Sequence, residues 1–229
     1  MRVLALDTAT EACSVALLNG DELIGRSAQA GKSHGQQILG MIDSVLAQAQ
    51  LSLSMLDGIA ASVGPGSFTG VRISVAVAQG LAFGADLQVV PVTTLEALAF
   101  KVLQAGSAGA LTCLDARMGE VYWGCFVADS NSGLKASSVA QVGPPESVLL
   151  PPGGAYRGIG RGFAAYPSLA ALPGLKFDAK DSLLLPHADE FARLGALRLA
   201  CGQGIDPALL SPVYLRDKVA LTEAERCAK

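Results

Sequence analysis

Apolar residues open this chain as short unbroken runs and then switch to a helical spacing. Val3 to Leu6 and Cys13 to Leu18 read as strands, and Glu22 to Arg26 follows Asn19-Gly20, a dipeptide suited to a tight hairpin. From His34 to Gln50 the positions Ile38, Leu39, Ile42, Val45, Leu46 and Ala49 form one stripe, the periodicity of an amphipathic helix. Ile59 to Val63 predicts a strand, and Val71 to Phe83 is almost continuously apolar over helical length. Val89 to Val92 predicts a short strand, and Thr94 a cap for a helix carrying Leu95, Leu98, Ala99 and Val102.

After Gly106-Ser107-Ala108-Gly109 the pattern begins again, with strands at Leu111 to Leu114 and Val121 to Val127. Leu4-Ala5-Leu6-Asp7 and Thr112-Cys113-Leu114-Asp115 each end an apolar strand in Asp, a weak internal repeat that predicts two related lobes, 1–106 and 107–229. From Gly143 to Leu185 the chain is rich in Pro and Gly, and one more amphipathic helix follows, with Ala188, Phe191, Ala192, Leu194 and Leu199. The second lobe therefore reads as reduced.

Between the strand ending at Val63 and the apolar helix lies Gly64-Pro65-Gly66-Ser67-Phe68-Thr69-Gly70. Three glycines allow positive φ and close backbone approach, and Ser67 or Thr69 suits a helix cap. Such a strand–loop–helix exposes N–H groups suited to an anion, yet it lacks the Gly-Lys-Ser/Thr of a phosphate loop and the spacing of a dinucleotide fingerprint. A purely structural turn and an anion site both remain open on spacing alone. The same holds for Gly158-x-Gly160-x-Gly162, where a plain strand-to-helix turn is favoured.

Hydrophobic residues make up 51% and charged residues 16% of the 229 positions, which excludes a disordered chain. A net charge of −3 gives no bulk drive toward nucleic acid. Cys13, Cys113, Cys125, Cys201 and Cys227 contain no Cys-x-x-Cys pair and read as small hydrophobes in a reducing compartment. Arg2 and Asp7 exclude a signal peptide at the start of the chain, and the Val71–Phe83 run is too short to span a bilayer. A cytoplasmic protein is expected.

Gly64-Pro65-Gly66-Ser67-Phe68-Thr69-Gly70-Val71-Arg72-Ile73 resembles the signature of the TsaB family, also called YeaZ. The likeness extends to Val3 through Thr10, Lys32-Ser33-His34, Asp115 through Tyr122, and Pro212 through Arg216. It implies an α/β fold of two duplicated lobes with mixed sheets, as in actin, sugar kinases and heat-shock ATPases. It implies a subunit of the machinery that makes threonylcarbamoyladenosine beside the tRNA anticodon. In that reading the chain is a non-catalytic scaffold that binds TsaD and, with TsaE, supports threonylcarbamoyl transfer. No cofactor is expected on this chain alone, ATP and a metal belonging to the complex and to TsaD. Members of the family pair through the first two helices, so Ile38, Leu39, Ile42, Val45, Leu46, Val71, Val75 and Ala78 are the expected interface, toward TsaD or a second copy. Contact with tRNA is expected only through the partner.

An autonomous ATP-dependent phosphotransferase of the same fold is the alternative. For it, Asp7, Gly64, Gly66, Ser67, Thr69 and Gly70 are the candidate phosphate site. In catalytic members of the superfamily the strand-end aspartates approach a metal–nucleotide, which would give Asp7 and Asp115 that role. An Asp just past a strand more often caps a turn. TsaD holds its metal with His-x-x-x-His; here Ile38 stands four residues after His34, and one imidazole makes no site. A Ser-His-Asp hydrolase is disfavoured, because Ser67 lacks a Gly-x-Ser-x-Gly elbow and His187 with Asp189 suits a helix start.

Overall fold

The structure, a computed structural model, describes residues 1–29 and 34–216, apart from the side chains of Gln29 and His34. Strands β1 (Arg2–Asp7), β2 (Ala12–Asn19) and β3 (Glu22–Gln29) form an antiparallel meander, and Gly20, at φ 62°, supplies the left-handed residue of the β2–β3 turn. Parallel strands β4 (Gly58–Ser62) and β5 (Val89–Val92) complete a sheet of order β3-β2-β1-β4-β5. Alternation sends Leu4, Leu6, Val15 and Leu17 to one face, under α1 (His34–Ala49) and α2 (Phe68–Ala85). Val3, Ala5, Ala16 and Leu18 go to the other face, under α3 (Thr94–Gln104) and the later helix α5 (Ala188–Ala200).

The second sheet repeats this plan. Strands β6 (Gly109–Arg117), β7 (Glu120–Asp129) and β8 (Gly133–Ala136) are antiparallel, and β10 (Tyr156–Ile159) and β11 (Leu175–Lys176) add in parallel beyond β6. Its order, β8-β7-β6-β10-β11, matches that of the first sheet element for element, and β9 (Gln141–Gly143) pairs with β7. The repeated Asp-ended strand of the sequence is thus a repeated sheet, the two-lobed fold the resemblance implies. One face packs on α3 through Ala110, Leu114, Phe126 and Ile159. The other carries only the single-turn helix α4 (Gly162–Ala165) and short 3-10 turns, around Leu111, Trp123, Tyr156 and Phe163.

Helices α3 and α5 form the layer between the sheets, joined by the Lys101–Glu190 and Arg198–Glu96 ion pairs. Thr93, not Thr94, caps α3: its hydroxyl accepts from Glu96 N, and Glu96 accepts from Thr93 N at 2.7 Å. Helix α2 begins three residues earlier than its apolar pattern predicts, because Ser67 Oγ caps it by accepting from Gly70 N.

The expected interface stripe needs a correction. Ile38, Ile42, Val45, Leu46, Val71, Val75 and Ala78 are each buried within the single chain, because the stripe seals the first sheet. Leu39 alone of that set is open, at 51% exposure.

Candidate functional site

The glycine loop is packed against the turn that follows β1. A Cβ on Gly66 would stand 2.2 Å from the Ala9 carbonyl oxygen, and one on Gly70 would stand 1.9 Å from that of Thr8. Ser67 N donates to Ala9 O at 2.7 Å, and the Thr8 hydroxyl donates to Gly70 O at 2.6 Å. Gly64 adopts φ 96°, and its carbonyl accepts from Thr94 N. The glycines are therefore required for close backbone approach. For the candidate phosphate residues Gly64, Gly66, Ser67 and Gly70 the contacts found are structural: the Ser67 amide donates to Ala9 O and the Gly70 amide to Ser67 Oγ at 3.4 Å. Thr69 is exposed on the first turn of α2.

The two strand-end aspartates do the same local work. Asp7 Oδ1 accepts from Ala9 N at 2.9 Å, and Asp115 Oδ1 accepts from Arg117 N at 2.8 Å. Each closes an Asx turn, which places both as turn caps. Asp7 is fully buried, its Oδ2 has no hydrogen-bond partner among the described residues, and burial pushes its pKa up to about 6. Among the described residues no three His, Cys, Asp or Glu side chains are grouped to hold a metal ion. The side chain of His34 lies outside the description. His187 sits at the N-cap of α5, where its Nδ1 lies 3.1 Å from Asp189 Oδ1 and its N–H donates to Glu190. Asp189 holds the imidazole pKa above its ordinary value, and Ser67 lies in another loop, so no nucleophile joins this pair. The Gly158–Gly162 segment is the strand-to-helix turn between β10 and α4, pressed on Cys113.

A cavity of about 540 Å³ lies between the lobes. Its walls are the β1–β2 turn, Pro65 to Phe68, the β6–β7 hairpin, Arg161 and the extended segment Val213 to Arg216. That segment straps the lobes together. Val213 N donates to Val63 O at 2.8 Å, and Arg216 donates to Ala116 O at 3.0 Å and pairs with Glu120.

The second region of interest is the open face of α1 and α2. On α2, Phe68, Arg72, Ala76, Gly80 and Gly84 recur every four residues and are all exposed, with Phe83 beside them at 60%. Leu39 and Gly40 stand exposed on α1. A Cβ on Gly40, Gly80 or Gly84 would meet nothing within 4 Å. Of this face the expected interface includes only Leu39, at the edge of the apolar stripe, and misses the glycines. The signal was the Ala76-x-x-x-Gly80-x-x-x-Gly84 spacing, glycines that a helix tolerates at a cost. By length and composition α2 also passes as a membrane span, but Val75, Ala78 and Ala82 pack on the first sheet.

The family profile described as "TsaD: tRNA N6-adenosine threonylcarbamoyltransferase" matches residues 28–154. The chain is 38% identical to the tRNA threonylcarbamoyladenosine biosynthesis protein TsaB of Escherichia coli, covering 96% of each. It belongs to the TsaB family. The TsaB of Haemophilus influenzae is likewise 38% identical, over 96% of this chain and 95% of the relative. The solved structure of YeaZ from Pseudomonas aeruginosa superposes with a TM-score of 0.85 at 38% identity, covering 93% of this chain and 99% of that one. The chain therefore has the family fold over nearly its whole length.

Proposed function

We propose that this chain serves tRNA threonylcarbamoyladenosine biosynthesis as a non-catalytic subunit, docking TsaD through the open face of α1 and α2. The relatives' names supply the pathway. The observation that carries the docking role is the row of exposed glycines at 40, 80 and 84, flanked by Leu39 and Phe83. Glycine in an exposed helix interior costs about 1 kcal/mol against alanine, so two in register on one face need a reason outside the monomer. A partner helix gains close approach there. The face accounts equally for self-pairing of the free chain. TsaE is reached through the TsaB–TsaD assembly, and ATP and the metal act on TsaD. The packing of Gly66 and Gly70 on the Ala9 and Thr8 carbonyls, and the use of Asp7 as a turn cap, weigh against an autonomous phosphotransferase.

The test is Leu39→Glu. An exposed position accepts the charge without unfolding, whereas a desolvated interface centre does not. The variant should keep its circular dichroism spectrum yet lose self-association, TsaD binding and modified tRNA in a reconstituted reaction. Modification at the wild-type rate by the folded variant would place the partner surface elsewhere.

A further inference from the structure

Arginines and aromatic rings alternate around the mouth of the interlobe cleft. On one rim Phe68 and Tyr214 are 61% and 52% exposed, their ring centroids 6.3 Å apart, and the Arg72 guanidinium covers one face of Phe68 at 3.3 Å. On the other rim stand Arg117 and Arg161, and within the cleft Arg216 lies 5.9 Å from the Tyr122 ring. In a chain of net charge −3 this is a local concentration of guanidinium. Its charges are incompletely matched. Arg72 has no carboxylate within salt-bridge distance among the described residues. Arg161 Nε is buried without a hydrogen-bond partner among them. Arg117 pairs with Asp115 at 2.9 Å and reaches Glu11 only at 3.8 Å, while the one carboxylate near Arg161 among the described residues is that same Glu11, at 3.6 Å. Arg117 and Met118 also hold φ 60° and 57°, a conformation that non-glycine residues seldom adopt, at the tip of the β6–β7 hairpin.

Exposed rings interleaved with guanidinium groups suit unpaired nucleic acid, because every base has a face to stack and every nucleotide a phosphate to pair. Duplex RNA hides its base faces, so it offers these rings nothing to stack on. A free nucleotide would need a phosphate cradle, and Gly66 and Gly70 of the glycine loop press instead on the Ala9 and Thr8 carbonyls. We propose that the cleft mouth takes an unpaired stretch of RNA, with a base stacked on Phe68 and Tyr214 and phosphates on Arg72, Arg117 and Arg161, displacing Glu11. This rests on the tRNA pathway assigned above. It revises one expectation: bulk affinity for tRNA stays with the partner, but this chain makes a direct contact of its own.

The test is fluorescence anisotropy of the full chain with a labelled oligouridylate of about twelve nucleotides. Blunt RNA duplex and uridine monophosphate serve as competitors. The strand should bind, with neither competitor matching unlabelled strand. Tyr214→Ala and Arg161→Gln should each weaken binding at least about fivefold, and the slope of log affinity against log salt should fall by about 0.7 per arginine removed. Glu11→Gln should tighten binding. No binding, or binding unmoved by both Tyr214→Ala and Arg161→Gln, would overturn the proposal. So would equal competition by duplex, or by the mononucleotide, the latter marking a small-molecule site instead. Arg161→Gln should still capture TsaD, whereas Gly80→Trp should lose TsaD and keep RNA, so the two readings fail separately.

Discussion

Two sets of glycines in this chain differ in what surrounds them. Gly66 and Gly70 face the Thr8 and Ala9 carbonyls so closely that an added methyl would overlap backbone atoms, while Gly80 and Gly84 face open space. All four lie in or beside one helix. The first pair is explained by contacts inside the chain; the second pair is left unexplained by them. A family signature can thus mark a fold requirement, and the unremarked glycines further along the helix can mark the functional surface.

The largest expected effect breaks the first half of this comparison. Gly70→Val should lower unfolding free energy by about 3 kcal/mol or more, since backbone at 1.9 Å cannot move aside as a side chain does. Urea denaturation measures it, and unchanged stability would return the loop to the list of ligand sites. The second half is tested by bulk on the open face. Gly80→Trp should keep the unfolding free energy from urea denaturation within about 0.5 kcal/mol of wild type. It should weaken TsaD binding at least about a hundredfold, close to 2.7 kcal/mol.

A smaller effect concerns Asp7 beneath the same loop. Its folded pKa of about 6 lies above the ordinary value of 3.8, so the folded state holds the proton more tightly. That contribution is fully present below about pH 4 and is lost as pH rises through 6, amounting to about 3 kcal/mol. Asp7→Asn keeps the acceptor for Ala9 N and should flatten the fall in stability between those values, followed by urea midpoints across the window. An unaltered pH profile would show that Asp7 does not titrate there. The smallest effect sharpens the contrast between the glycine sets. Gly84→Ala in the isolated chain should raise stability by about 0.5–1 kcal/mol, the reverse of any change at Gly70.

Much of the fold was legible because burial imposes periodicity. The strand at Val89–Val92, the helix from His34 and the Asp-ended repeat all appear in the structure at or near their expected positions. Cap residues were less legible: Thr93 and Thr94 are adjacent and chemically alike, and only the reach of Glu96 separates them. The interface stripe was misread for a physical reason. An apolar stripe on a helix reports that something covers it, and here the chain's own first sheet does so. What distinguishes a partner surface is the residue type on the opposite side, small and unshielded, and that becomes visible only once the side facing the sheet is known. The cleft arginines come from α2, the β6–β7 hairpin, the turn after β10 and the strap, so no local pattern joins them.

The central claim is that the open face of α1 and α2, and not the glycine loop, meets TsaD. Hydroxyl-radical footprinting reads this without a mutation, because Leu39 and Phe83 are 51% and 60% exposed in the free chain, while Leu149 at 75% lies in the other lobe as a control. Adding TsaD should protect Leu39 and Phe83 from oxidation and leave Leu149 as reactive as before. Equal oxidation of Leu39 and Phe83 with and without bound TsaD would contradict the account.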